Sequence, residues 1–336
     1  MKKLLIIILI LGLVLTTAVA CSGGEAADDG SENQEEAFTY PERPIELVIP
    51  FGEGGASDTF ARKFASIMSK DIPEPVQPVN KSGSGGLIGM IHAFQQENDG
   101  YTVLEVTPSH VIADVLNSSD DVKFLEDFEP LARIQQDLYI LSVPAESRFD
   151  SFEEIVEYGQ ENEITFAGIS PGGLDDMTLN ALADATGIKL KFIPYKSGSE
   201  VKAAVLGGEV DIYLDKIISA INYVKDDKIK PVLVLNEERL ETVEELKEVP
   251  CSVELGYDVT IGSFRGFVIK KGAPQEVKDY LVEKMYETYQ TEEYQDFAEL
   301  NLVNLREGYL AEEDFAAFLQ ENYEMFDKVA KKVGLK

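Results

Sequence analysis

Three short stretches carry residue types suited to holding a small anion: "PFGEGGASD" (50–58), "KSGSGGLIG" (81–89) and "ISPGGLDD" (169–176). Each lies between a strand-like run and a helix-like one. Glycine lets the backbone approach a ligand closely and adopt positive φ. The first turn of a helix leaves N–H groups without partners and carries partial positive charge. Together they make an anion site that needs no basic side chain, suited to a carboxylate or phosphate. The alternative for each stretch is a tight strand-to-helix turn with no ligand. The first lacks the Gly-Lys-Ser/Thr ending of a nucleotide-triphosphate loop, and Gly83, Gly85, Gly86 and Gly89 miss the dinucleotide spacing G-x-G-x-x-G by one residue.

Residues for catalysis are scarce. No G-x-S-x-G elbow occurs. Asp175 and Asp176 are adjacent, so on a helix they point in different directions and form no facing acid pair. Asp58 in a first helical turn complements the dipole and caps the helix, or contacts a ligand. Asp211 and Asp215 share one face of a strand, which is also what a solvent-facing strand end looks like. His92 and His110 are far apart, and the cysteines are Cys21 and Cys251 alone, so neither a metal nor a cofactor is expected.

The elements that must position these stretches alternate. "IELVIP" reads as a strand. "DTFARKFASIMSK" reads as a helix with Phe60, Phe64, Ile67 and Met68 on one face. "PVQPVN" and "DGYTVLEVT" are strands either side of the helical "LIGMIHAFQQE". Further on come the strand "LYILSVP", the helix "SFEEIVEYGQE" with Ser151 and Glu154 as a capping box, and the strand "ITFAGI". The helix "MTLNALADATG", the strand "LKFIPY", a helix stopped by Gly207 and Gly208, and the strand "EVDIYLD" follow. The chain from about Gln275 onward reads as mostly helical. Short loops between alternating strands and helices predict an α/β fold with mostly parallel sheets.

The N-terminus reads "MKKLLIIILILGLVLTTAVAC": lysines, a short apolar run, small residues, then Cys21. This is the layout of a lipoprotein signal over 1–20, with lipid on Cys21, or of a cleaved export signal with an incidental cysteine. The segment 21–39 is acidic and nearly free of apolar residues, a flexible tether. The expected location is therefore outside the cell membrane, anchored to its outer face, or periplasmic. With 30 basic and 61 acidic residues the net charge is −31, which argues against nucleic acid as a partner. It also requires that any anion site be locally positive.

The chain resembles the extracytoplasmic substrate-binding proteins of tripartite tricarboxylate transporters, the Bug or TctC type, from about Tyr40 to Lys336. The likeness rests on "YPERPIELVIPFGEGGASD", "NKSGSGGLIG", "NDGYTVL", "EDFEPLARI", "IPYKSGSEVKAAVLGGEVD", "EVPCSVELGYDV" and "FRGFVIKKGAPQEV", in order and spacing. The resemblance implies a two-lobed periplasmic-binding-protein-like (type II-like) α/β fold with a ligand cleft between lobes. Lobe 1 would be 40–143 plus 264–336, and lobe 2 would be 144–263. It implies a non-enzymatic receptor that captures a small organic carboxylate and delivers it to membrane permease subunits. One clamp would be Gly54, Gly55, Ala56, Ser57 and Asp58, with Phe51 and Thr107 beside it. The opposing clamp would be Ser170, Gly172, Gly173, Leu174, Asp175 and Asp176. Tyr195 and Asp215 would line lobe 2, and Phe264 with Arg265 would complete the set. Glu53, and Asp176 where relatives commonly have histidine, add negative charge; they favour a monocarboxylate, an amino acid or a cation-accompanied ligand over a tricarboxylate. Arg265 argues for a carboxylate partner, or for a salt bridge linking the lobes. A same-fold sensing receptor and an exported hydrolase are the alternatives.

Overall fold

The computed structural model describes residues 38–169 and 171–336; Cys21, the export signal, most of the tether and Ser170 lie outside the described residues. The first half runs β1 (Ile45–Ile49), α1 (Ala56–Met68), β2 (Val76–Asn80), a 3₁₀ turn (Ser84–Gly86), α2 (Leu87–Gln95), β3 (Thr102–Val106), α3 (Pro108–Val115), α4 (Phe124–Asp127) and β4 (Phe128–Asp137). Then come β5 (Tyr139–Pro144), α5 (Phe152–Glu161), β6 (Glu163–Gly168), α6 (Leu174–Thr186), β7 (Lys189–Pro194) and α7 (Gly198–Leu206). The chain ends with β8 (Tyr213–Lys216), α8 (Ile217–Lys225), β9 (Ile229–Val234), β10 (Ser263–Lys270), α9 (Gln275–Gln290), α10 (Glu292–Leu300) and α11 (Glu312–Lys332).

Local chemistry accounts for several of these elements. In α1, Phe60, Phe64, Ile67 and Met68 recur at helical spacing and are all buried. Phe60 and Phe64 pack their rings on Phe267 of β10, at centroid separations of 5.7 and 5.1 Å. Ser151 Oγ caps α5 by accepting from the N–H of Glu154 at 3.3 Å, while the Glu154 carboxylate accepts from Asp150 N–H rather than closing the expected box on Ser151. α6 stops at Gly187, whose φ of +78° is the left-handed conformation that ends helices.

The strands form sheets in the orders β2-β1-β3-β10-β4, β8-β5-β9 and β6-β7. The expectation of mostly parallel sheets is not met. β1 is parallel to β2 and β3, and β6 to β7, but β10 is antiparallel to β3 and β4, and β5 to β8 and β9. The reason is connectivity. β4 runs into β5 with only Leu138 between them, so no crossover helix restores direction, and β10 enters the first sheet from the far half of the chain. The chain leaves the first sheet at Asp137 for β5 of the second, and returns to it with β10 at Ser263. α11 packs on α3 and β4 and also on α6, where Lys328 and Lys332 pair with Asp184.

Candidate functional site

Gly54 turns the chain after β1 with φ +73°, and Gly55 is the extended N-cap of α1. The turn is held by Asp58. Its Oδ2 accepts from Gly54 N–H at 2.9 Å, and its Oδ1 accepts from Arg62 Nε at 2.8 Å and Asn80 Nδ2 at 2.9 Å. Burial raises the Asp58 pKa, but these bonds outweigh it and hold the carboxyl below its usual range. Asp58 thus braces its own loop and is not among the residues lining the cavity below.

The α6 loop repeats the device. Gly172 has φ +75°, Gly173 is an extended N-cap, and Asp176 Oδ2 accepts from Gly172 N–H at 2.7 Å while Asn180 Nδ2 donates to Oδ1 at 2.7 Å. Here burial prevails and the Asp176 pKa is raised. Asp176 is likewise directed at its own turn. Asp175 Oδ1 accepts from Tyr139 OH at 2.9 Å; its pKa is raised by burial, with Asp215 adding to the shift.

A cavity of about 560 Å³ lies between these loops, inside the roughly 300–1,000 Å³ range of small-molecule sites. Its wall is Phe51, Gly52, Glu53, Gly55, Ala56, Ser57, Thr107, Pro108, Ser109, Tyr139, Leu174, Lys216, Ser263 and Arg265. Four helices present their N-terminal ends to it: α1 through Gly55 to Ser57, α3 through Thr107 to Ser109, α6 through Leu174, and α8 through its N-cap Lys216. Unpaired N–H groups and aligned dipoles make such ends attract anions. Thr107 is held by the buried His110, whose Nδ1 accepts from Thr107 N–H at 3.1 Å; burial pushes the imidazole down to about 4, so it is neutral.

Arg265 and Lys216 line the cavity, and Asp137 and Glu105 act on Arg265. Arg265 Nη1 donates to Asp137 Oδ2 at 2.8 Å, and its Nε lies 3.8 Å from Glu105 Oε1. Burial disfavours the guanidinium's charge, but Asp137 and Glu105 outweigh it. Asp137 ends β4, a neighbour of β10 in the same sheet, so the ion pair is internal to that sheet and does not link lobes. Glu105 is wholly buried, and among the described residues neither carboxylate oxygen has a hydrogen-bond partner. Burial pushes it up to about 7, against the pull of Arg265, Ser57 and Lys216. For Lys216, burial and Arg265 favour loss of the proton, opposed by Asp137, Asp215 and Asp175.

Of the expected site residues the structure gathers Phe51, Gly55, Ala56, Ser57, Thr107, Leu174 and Arg265 around the cavity. Gly54, Gly172, Gly173 and Asp175 support it from behind. Tyr195 does not reach it: its hydroxyl donates to Glu209 Oε2 at 3.0 Å. Asp215 accepts from Tyr213 OH and from Lys216 N–H. Phe264 is a core residue, with ring centroids 5.9 and 5.2 Å from Phe315 and Phe318. The second glycine stretch is a packing loop. A Cβ at Gly89 would fall 2.7 Å from Pro50 Cβ, and one at Gly86 2.9 Å from His110 Nε2. Cys251 is buried, its Sγ donating to Glu237 O. Ser109, Tyr139, Lys216 and Ser263 were not expected. Lys216 had a signal: "IYLD" before it and the apolar spacing of "IISAINYV" after it mark another strand-to-helix junction. Among the described residues no group of His, Cys, Asp or Glu is placed to hold a metal, and no helix is long and apolar enough to cross a membrane.

Helix ends that follow strands of three sheets, gathered about one cavity, define a solute-binding protein of the periplasmic type. The family described as tripartite tricarboxylate transporter family receptor matches residues 60–335, and the chain belongs to that family. It is 26% identical over 253 residues to Protein BugT of Bordetella pertussis, covering 74% of this chain and 77% of that one. Its fold is similar to that of a TctC solute binding protein from Polaromonas, with TM-score 0.77 and 26% identity over 88% of this chain and 100% of that one. It is also similar to MatC from Rhodopseudomonas palustris with bound malate, with TM-score 0.68 and 21% identity over 86% and 99%.

Proposed function

We propose that this protein captures a small carboxylate outside the cell membrane, anchored there by lipid on Cys21, and presents it to the permease of a tripartite tricarboxylate transporter. The observation that carries the reading is the meeting of four helix N-termini at one cavity in a chain of net charge −31. Backbone amides supply a local attraction for an anion that the rest of the molecule repels. The ligand carboxylate sits against the Gly55–Ser57 amides and the Ser57 and Ser109 hydroxyls. The halves bounded by the two chain crossings close on it as hinged lobes. That MatC holds malate supports a C4–C6 di- or tricarboxylate or acidic amino acid as the class to screen first.

A thermal-shift screen of organic acids tests this. A carboxylate at 100 times its Kd stabilises the fold by about 2.7 kcal/mol. If a neutral sugar or a metal raises the melting temperature and no carboxylate does, the ligand class is wrong. Loss of membrane partitioning in Cys21→Ala tests the anchor.

A further inference from the structure

Two cations line the cavity, and they are differently placed. Arg265 is tied to Asp137 and Glu105. Lys216 is half-buried at the cavity wall, and among the described residues its ammonium makes no hydrogen bond or ion pair. The acids that favour its charge are each bonded elsewhere. Asp137 accepts from Arg265 and from Gln135 Nε2 at 3.0 Å, Asp175 from Tyr139 OH, and Asp215 from Tyr213 OH and Lys216 N–H. Lys216 is also the N-cap of α8, the end of a helix where the dipole disfavours a cation. A half-buried lysine on the wrong end of a helix, lining a cavity and with three donors unused by the described residues, is a group arranged for an anion that is supplied from outside.

We propose that Lys216 receives a second carboxylate of the ligand, and so sets a preference of this cleft for dicarboxylates over monocarboxylates of the same length. The inference rests on the carboxylate reading above and adds the residue that selects the ligand's distal charge. The first carboxylate lies on the α1 amides, and the second accepts hydrogen bonds from Lys216 Nζ.

Isothermal titration of the full chain with succinate, glutarate and adipate, each beside its monoacid of equal carbon number, tests it. In Lys216→Met the diacid Kd rises about 10- to 100-fold, the range of one charge-assisted hydrogen bond, while the monoacid Kd moves by no more than about twofold. Lys216→Arg keeps the diacid preference. Lys216→Gln repeats the measurement should the methionine variant unfold, with the unliganded melting curve as the check on folding. Equal losses for diacid and monoacid, or an unchanged diacid Kd, overturn the assignment of Lys216 while leaving the carboxylate reading intact. Failure of the wild type to bind any carboxylate overturns both.

Discussion

The N–H of Gly54 donates to Asp58 Oδ2 at 2.9 Å, and the bond closes the turn that starts α1. The same bond, from Gly172 N–H to Asp176 Oδ2 at 2.7 Å, starts α6 on the other side of the cavity. Both glycines are left-handed, and each is followed by an extended glycine N-cap. In each loop a carboxylate four residues on fixes the turn. The loops differ in charge balance. Asp58 has Arg62 and Asn80 beside it, Asp176 has only Asn180, and their pKa values move in opposite directions.

Asp58→Ala removes an acceptor that serves three donors. The expected cost is about 1–3 kcal/mol in urea unfolding, together with weaker carboxylate binding as the Gly54 turn loosens. The pH sign follows from the shifts. The folded Asp58 pKa is depressed, so its contribution is present above the ordinary carboxylate pKa and lost as pH falls through the folded value. Asp176, with its folded pKa raised, contributes below the ordinary value and loses that contribution as pH rises through the folded one. Stability measured from pH 3 upward should therefore fall less steeply on the acid side for Asp58→Asn than for wild type. Identical acid limbs would show that Asp58 does not brace the loop electrostatically.

The two neighbouring glycines separate conformation from space. Gly54 has φ +73° and open space where a Cβ would go, so Gly54→Ala should cost about 1–2 kcal/mol of backbone strain and leave carboxylate binding measurable. Gly55 has an ordinary φ of −76°, but its Cβ would lie 3.2 Å from Gly52 O at the cavity wall. Gly55→Val should fold with a smaller loss of stability and abolish the ligand-induced thermal shift. Retained binding in Gly55→Val would remove the α1 amides from the site.

Much of this site was legible in the chain, because its anchors are local. A glycine pair before an amphipathic helix places free amides at a helix start whatever the tertiary fold. What a glycine faces is not local. The stretch at 81–89 has the composition of the other two, yet Gly89 serves the close approach of Pro50. Phe264 and Arg265 were both expected in the cleft, although adjacent strand residues point to opposite faces; the phenylalanine went to the core and the arginine to the cavity floor. Lys216 is hard to see in the chain because the alternation of "EVDIYLD" ends at Asp215, while the structure carries β8 one residue further to the N-cap of α8. The sheet directions were not legible, because they depend on where β10 re-enters the first sheet.

Arg265 is 3% exposed and holds Asp137 directly. Removing one partner of a buried pair leaves the other charge uncompensated, at about 3–5 kcal/mol. Arg265→Met should show a loss of that order by denaturant titration. Arg265→Lys should not restore it, since a single ammonium cannot serve the geometry of a guanidinium fork. The pairing of Arg265→Met with Asp137→Asn should cost less than the two single losses added together. Strict additivity would mean the pair contributes no coupling.

Glu105 carries the last prediction. It lies wholly buried on β3 beneath the α1 loop, with Arg265 from β10, Ser57 and Asp58 from α1, and Lys216 from β8 as the polar and charged groups acting on it. Burial pushes its pKa up to about 7, and the nearby cations only partly offset this. A carboxyl whose folded pKa is raised favours the folded state below its ordinary pKa and loses that favour as pH climbs to the folded value. Wild-type stability should therefore drop as pH rises from about 4.5 to about 7 and then level off. Glu105→Gln, which stays neutral, should match wild type near pH 5 and exceed it at pH 8.5 by up to about 3 kcal/mol. The same charge sits under the amides that face the ligand, so carboxylate affinity in the wild type should weaken between pH 6 and pH 8.5 while that of Glu105→Gln stays flat. Melting curves and titrations of the two proteins at those pH values decide the matter. Parallel pH profiles would show that Glu105 keeps one protonation state throughout and plays no part in the cavity's charge.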